Sequence, residues 1–263
     1  MSDLRQVTPT VCRLMGIKPP ALATIPALEE VLAAAQFHGA RALVYAPDAI
    51  GRMFLEARPE MLRRLTAASD VAVPLRAMLP AKTPVCFASM FSGAQPEQHG
   101  IRKYERPVLA CDTLFDALAR AGKKAAIVAV RGSSMDIIFR NRSTDYFTEA
   151  YDEGVTARTT ELLERGEHEF IVAYHQEYDD ALHRTAPDSP DALAAARRHV
   201  ESYTKLCRAV EERWPGFNRV VVFAPDHGAH FDAAKGTGDH GIDIPDDVDV
   251  LHFWRVRPGR GLD

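Results

Sequence analysis

The sequence contains no apolar run that approaches the roughly 18 residues needed to cross a membrane. Its first residues also lack the basic start and apolar core of a secretion signal. We therefore expect a cytoplasmic protein without a membrane partner. The formal net charge of −4 gives no broad basic surface, so a nucleic-acid duplex is not an expected partner either.

Cysteine is scarce and scattered. The four cysteines form no C-x-x-C pair, so the sequence predicts neither a disulfide framework nor a thiolate metal site. Cys86 is interpreted as a small buried apolar residue. Internal repeats, low-complexity tracts and linkers are also absent. An α/β chain of 263 residues often forms one unit, so we predict a single domain over residues 1–263.

Apolar runs of strand length alternate with amphipathic stretches of helix length. This alternation predicts an α/β fold with a mainly parallel central sheet and helices on both faces. The predicted core strands are residues 42–46, 125–130, 169–174, 219–224 and 248–254. We also predict a helix over residues 52–68 despite Pro59, a surface loop over residues 131–145, and a helix at residues 113–120 capped by Asp112.

Carboxylates and imidazoles follow several of these strands. The candidate ligands are Asp48, Asp179, His183, Asp226, His227 and His240. Because parallel strands end at one edge of a sheet, these side chains are expected to converge there. The mixture of carboxylate and imidazole suits Zn²⁺ or Mn²⁺ better than an all-oxygen Ca²⁺ site. Two metals about 4 Å apart, holding the attacking and leaving oxygens of an in-line displacement, account for the whole set.

Thr83 is the candidate nucleophile. It follows Lys82, precedes Pro84, and opens a stretch of small and apolar residues that closes at Gly93. Backbone N–H groups at such a helix start hold an anion against the Thr83 hydroxyl. The structural alternative is a threonine that only opens the helix, which is common for Thr-Pro.

Taken in order along the chain, these motifs resemble the alkaline phosphatase superfamily, and most closely its nucleotide pyrophosphatase/phosphodiesterase branch. The matching motifs are Lys82-Thr83 with Gly93, Pro96 and His99-Gly100-Ile101, then Asp179 with His183 and Pro187, then Asp226-His227-Gly228 and His240-Gly241. The resemblance implies an alkaline phosphatase-like core with little or no cap, and two divalent ions, Zn²⁺ in the first place and Mn²⁺ as the alternative. It also implies two ligand sets, which are Asp179, His183 and His240 for one ion, and Asp48, Asp226, His227 and the Thr83 oxygen for the other.

The function implied by the resemblance is hydrolysis of small phosphate esters, with Thr83 as nucleophile and a phospho-threonine intermediate. Two alternatives remain open: a metal-dependent phosphomutase on the same core, and a non-catalytic metal- or phosphate-binding protein. Sulfatases share the fold, but the residues after Cys86 do not match their motif. The sequence carries no signature of a particular leaving group.

The chain also departs from the family pattern. The family's phosphate-binding Asn after His-Gly is replaced by the segment that contains Tyr104, which becomes a candidate substrate contact together with His175 and His230. The short segment between His227 and His240 predicts an open site. Residues 9–17 resemble a segment that family members carry after the last ligand, so they represent either a permuted order or an unrelated helix.

Overall fold

The computed structural model describes residues 2–260 and contains one large sheet and one small hairpin. In this part of the chain the strands are β1 (Arg41–Pro47), β2 (Val71–Arg76), β3 (Ala125–Val130), β4 (Asp145–Glu149), β5 (Phe170–His175), β6 (Arg219–Phe223), β7 (His230–Asp232), β8 (Thr237–Asp239) and β9 (Asp249–Arg257). A 3₁₀ turn at Leu4–Gln6 precedes the α-helices, which are α1 (Val7–Met15), α2 (Glu29–Ala35), α3 (Arg52–Glu56), α4 (Pro59–Ala67), α5 (Thr83–Ser92), α6 (Pro96–His99), α7 (Leu114–Arg120), α8 (Ser134–Ile138), α9 (Asp152–Arg165), α10 (Glu177–Arg184), α11 (Pro190–Arg213) and α12 (Pro245–Val248).

The large sheet has the strand order β2-β9-β6-β1-β5-β3-β4. Strands β6, β1, β5, β3 and β4 pair in parallel, whereas β9 runs antiparallel to both of its neighbours. The strands β3, β5 and β6 are buried along their whole length, as expected for strands with helices on both faces. The predicted mainly parallel α/β sheet is therefore confirmed.

The sheet separates two apolar cores. Alternate residues of β1 contribute to each: Val44 and Ala46 belong to the core that contains α1, α5 and α7, whereas Leu43 and Tyr45 belong to the core that contains α4, α9 and α11. This alternation is the period of two of a β-strand. The same alternation decides which side chains at the ends of the strands face α5. No helix within residues 2–260 combines the length and the apolar character that a membrane crossing requires.

Three local predictions were wrong. The helix predicted over residues 52–68 is broken into α3 and α4, because Pro59 occupies the first turn of α4 and disfavours helical geometry at Arg58. The cap of α7 is Thr113, whose backbone N–H donates to Asp116 at 2.8 Å, while Asp112 pairs with Arg120 instead. Residues 131–145 contain α8 and lead into the edge strand β4, so they do not form a simple surface loop.

Candidate active site

The candidate site is a cleft of about 410 Å³ at the carboxyl edge of the sheet. Asp48 follows β1, Tyr174 lies near the end of β5, and Arg131 follows β3. Thr83 and His240 also line the cleft. Side chains from distant parts of the sequence thus meet where parallel strands end, as is usual for open α/β sheets.

Thr83 is the first residue of α5 and is 5% exposed. Its Oγ1 lies 3.3 Å from Asp48 Oδ2 and 3.3 Å from His227 Nε2. Lys82 precedes it in extended geometry, and Gly93 ends the helix in the left-handed conformation at φ 71°. Burial raises the pKa of the nearby Cys86 thiol well above its usual value, and Thr83 is the only residue of α5 that lines the cleft.

Asp179, His183 and His240 form the first candidate metal group, in which one potential ligand atom from each residue lies within 4.8 Å of the others. Asp179 and His183 share one side of α10 because they are one turn apart. His183 Nδ1 lies 3.0 Å from Gly238 O, and His240 Nδ1 lies 2.7 Å from Ala81 O.

A carbonyl oxygen accepts only, so both Nδ1 atoms in this group carry a proton, and each Nε2 presents a lone pair when its ring is neutral. The Nε2 atoms of His183 and His240 face each other at 3.1 Å. Two lone pairs this close repel unless a cation lies between them or next to them. Burial by itself raises the pKa of Asp179, but its interactions with His183 and His240 outweigh burial and lower it. The Asp179 carboxylate therefore remains available as a ligand.

Asp48, Asp226 and His227 form the second candidate metal group, and all three are at most 1% exposed. His227 Nδ1 lies 3.0 Å from Gly228 O, which directs Nε2 toward the two carboxylates at 3.4 and 3.3 Å. Burial, and after it the charge of Asp226, raises the pKa of Asp48 well above its usual value. Burial likewise raises the pKa of Asp226. A nearby cation would offset the cost of keeping these two buried carboxylates charged.

The polar atoms of these groups fit divalent metals. Asp179 Oδ1 and Asp226 Oδ2 are buried and have no hydrogen-bond partner within residues 2–260. Buried carboxylates of this kind are normally paired or coordinate a metal. Three carboxylates and three imidazoles, each imidazole oriented by a carbonyl oxygen, are a donor set typical of Zn²⁺ or Mn²⁺ sites. The rings of His227 and His240 stack with centroids 4.0 Å apart, so the two groups adjoin.

The structure thus brings Thr83 and all six candidate ligands together, and Tyr104 also lines the cleft with 61% of its surface exposed. His175 does not line the cleft. Strand parity turns it away from Tyr174, and its ring packs on Tyr45 with centroids 4.4 Å apart. Its Nε2 lies 2.9 Å from Thr156 Oγ1, and burial lowers its pKa to about 3.

His230 also lies outside the cleft, on the hairpin strand β7, where its Nδ1 pairs with Asp247 at 2.7 Å. Several residues that do line the cleft have no role among the predictions from the sequence. The Tyr174 hydroxyl donates to Asp48 Oδ2. Arg131 directly follows β3 as Asp48 follows β1, so its position after a strand could have indicated that it lies at the site. Arg106 lies in a loop, where the sequence has no pattern that would place it in the cleft.

The start of α10, the helix that carries Asp179, is held by buried side chains from other helices. Asp152, at the start of α9, accepts from the backbone N–H groups of Gln176 and Glu177, both at 3.0 Å. His199, from α11, accepts from Tyr178 N at 3.2 Å. Backbone N–H groups at a helix start have no partner within the helix, so these contacts replace a local cap and fix the helix position.

Replacing Asp152 with Ala should therefore loosen the first candidate metal group. We expect a loss of about 1–2 kcal/mol in unfolding free energy and weaker binding of one divalent ion, measured by urea unfolding and metal titration. The matched control is Thr113→Ala, which removes the cap of α7, a helix that carries no site residue. Equal metal affinity in the two variants would contradict a role for Asp152 in positioning α10.

The comparisons with known proteins agree with this geometry. The family model of type I phosphodiesterase/nucleotide pyrophosphatase matches residues 45–244, which include Thr83 and both candidate metal groups. No curated protein sequence matches the chain. Phosphonoacetate hydrolase from Sinorhizobium meliloti 1021, in complex with phosphonoformate, superposes with a TM-score of 0.57 at 18% identity and covers 76% of this chain and 59% of its own.

Two ectonucleotide pyrophosphatase/phosphodiesterase 5 structures are also similar. The human protein has a TM-score of 0.60 at 14% identity over 82% of this chain and 87% of its own. An inactive murine variant in complex with AMP has a TM-score of 0.58 at 17% identity over 74% of this chain and 58% of its own. At these identities the likeness shows a shared fold, and this chain spans less than two thirds of the phosphonoacetate hydrolase and the murine protein. Because the family model covers most of the sequence, the chain belongs to the type I phosphodiesterase/nucleotide pyrophosphatase family.

Proposed function

We propose that this protein is a metal-dependent hydrolase of small phosphate esters with Thr83 as its nucleophile. The observation that carries the proposal is the position of the Thr83 hydroxyl, 3.3 Å from both Asp48 and His227, in a cleft that also contains the first metal group. Membership of a family of phosphodiesterases and nucleotide pyrophosphatases supports the same reaction class.

In this proposal Asp48, Asp226 and His227 hold one divalent ion, and the first candidate metal group holds a second. Such ions, Zn²⁺ or Mn²⁺, supply positive charge that stabilises the phosphoryl oxygens. The neighbouring acceptors Asp48 and His227 orient the Thr83 hydroxyl. The Tyr174 hydroxyl fixes the Asp48 carboxylate from the other side.

The reaction then proceeds in two displacements. Thr83 Oγ1 forms a bond to phosphorus while the bond from phosphorus to the ester oxygen breaks in line. The proton of the Thr83 hydroxyl passes overall to the leaving oxygen, so the products are phospho-threonine and a free alcohol or phenol. The backbone N–H of Thr83, at the start of α5, binds a phosphoryl oxygen. Water next attacks the phospho-threonine and the phosphorus bond to Oγ1 breaks. A monoester substrate thus yields inorganic phosphate, a diester yields a phosphate monoester, and the threonine hydroxyl is restored in both cases.

The test is turnover of p-nitrophenyl phosphate and bis-p-nitrophenyl phosphate by protein stripped with chelator and then supplied with Zn²⁺ or Mn²⁺. We expect nitrophenolate release that depends on added metal, and the ratio of the two rates will show whether monoesters or diesters are preferred. Accumulation of inorganic phosphate from the monoester distinguishes hydrolysis from return of the phosphoryl group to a substrate. Absence of turnover under every metal condition would indicate a binding protein instead.

A further inference from the structure

Two arginines line the cleft beyond the metal groups, Arg106 and Arg131, and both are exposed. Neither forms an ion pair with a carboxylate within residues 2–260, and the Arg131 side chain makes no hydrogen bond there. The protein carries more acidic than basic residues, with a net charge of −4, so carboxylates are not in short supply. Two uncompensated guanidinium groups at the rim of one cleft favour an anion from solution.

The backbone that carries these arginines is well held. Arg106 Nη1 donates to Gly132 O, which ties its loop to the turn after β3. In that turn Arg131 N donates to Glu149 O at 2.8 Å, and Gly132 N donates to Asp136 Oδ2 at 2.9 Å. The turn is therefore fixed while the Arg131 guanidinium remains unpaired. The backbone that carries the Arg131 side chain is thus ordered before a ligand binds.

Ser134 provides a separate indication of a ligand. It lines the same cleft and is only 4% exposed, yet its hydroxyl has no hydrogen-bond partner in the described part of the chain. The hydroxyl oxygen itself is accessible, because it is not one of the fully buried side-chain atoms that lack a partner in residues 2–260. The neighbouring Ser133, in contrast, accepts from Asp136 N at 3.2 Å. The Ser134 hydroxyl is therefore available to a molecule bound in the cleft.

We propose that Arg106, Arg131 and Ser134 form a subsite for a second anionic group of the substrate. This inference rests on the proposed function and narrows its substrate class to small phosphate esters that also carry a carboxylate or a second phosphate. Arginine suits both groups because its planar donors pair with two oxygens at once. A cleft of about 410 Å³ lies in the lower part of the range for ligand pockets, so the two anionic groups must be only a few bonds apart.

The test compares phosphoglycolate with ethyl phosphate, two monoesters that differ only in a carboxylate against a methyl group. The metal-loaded wild type should hydrolyse phosphoglycolate with a kcat/KM at least about tenfold higher, as expected for a charge-assisted pair. Arg131→Ala should abolish most of this ratio and leave ethyl phosphate within about threefold. Arg131 is the better test position because its side chain has no hydrogen-bond or ion-pair partner to lose among residues 2–260. Ethylene glycol bisphosphate, compared in the same way, shows whether a second phosphate is preferred to a carboxylate.

Arg102→Ala is the matched control, since Arg102 is an exposed arginine of the same loop that does not line the cleft. Removing this charge should leave the ratio unchanged, and an equal fall in both variants would indicate a general charge effect and overturn the subsite. A wild-type ratio near one would overturn the subsite and leave the proposed function intact. If neither ester is hydrolysed, the proposed function fails, and calorimetric binding of the two esters to the metal-loaded protein then tests the subsite. Equal affinities for the two esters overturn the subsite. Tighter binding of phosphoglycolate that is lost in Arg131→Ala supports it.

Discussion

Replacing Thr83 with alanine will lower turnover of phosphate esters by about a thousandfold or more while the protein keeps its fold and both metals. Removing an attacking oxygen eliminates the first displacement, and nucleophile substitutions in enzymes that use a covalent intermediate have effects of this order. The stability cost should be only about 1 kcal/mol, because the variant loses one hydroxyl and its hydrogen bonds. The measurements are kcat/KM for p-nitrophenyl phosphate, metal content after dialysis, and thermal unfolding.

Thr83→Ser is the matched control for this variant, because it keeps the hydroxyl at the start of α5 and removes only a methyl group. It should retain substantial activity. If Thr83→Ala itself keeps more than a tenth of wild-type turnover, Thr83 serves only to open the helix and another group attacks phosphorus. A variant that loses activity together with its metals would place the effect on metal binding and not on the nucleophile.

Removing one residue from either metal group will reduce the bound metal to about one ion per chain, since a group of three carboxylate and imidazole ligands that loses one binds far more weakly. His227→Ala tests the second group and Asp179→Ala tests the first. Each variant should also lose most of its turnover, because the proposed reaction uses both ions to stabilise phosphoryl charge.

Metal content after dialysis is the direct readout for these variants. His230→Ala is the control, since His230 pairs with Asp247 outside the cleft and should leave two ions in place. Two equivalents of metal in both His227→Ala and Asp179→Ala would remove these residues from the ligand set. Loss of both ions from one variant would mean that the two groups, joined by the stacked rings of His227 and His240, bind metal cooperatively.

Much of the site could be predicted because its residues follow simple geometric rules. Asp48 follows a strand of the central sheet, and Asp179 and His183 are one turn apart on a helix, so their convergence required only the strand direction and the helix period. The same rules, applied to β5, would have separated Tyr174 from His175, because neighbouring residues of a strand face opposite sides of the sheet. The predicted substrate contact at His175 rests on residue type alone, and the structure places that side chain against Tyr45, outside the cleft.

Other features have no local signal. Helix α8 has only five residues, too few to show a helical period, so the segment after β3 was predicted as a loop. The position of Arg106 depends on a contact with Gly132, which is distant in sequence. The anchoring of α10 by Asp152 and His199 depends likewise on the packing of three helices. Tertiary contacts of this kind cannot be inferred from composition or spacing.

The orientation of the three imidazoles in the candidate metal groups depends on main-chain carbonyl oxygens, since His183, His227 and His240 each contact a backbone oxygen through Nδ1. Substitutions of the surrounding side chains can therefore accumulate without reversing which ring nitrogen faces the metal group. The backbone near His227 tolerates less change, because a Cβ atom at Gly228 would lie 2.0 Å from Asp246 O. The orientation of these imidazoles is thus insensitive to substitutions of the surrounding side chains. It is sensitive to any change that shifts the loops carrying the carbonyl oxygens.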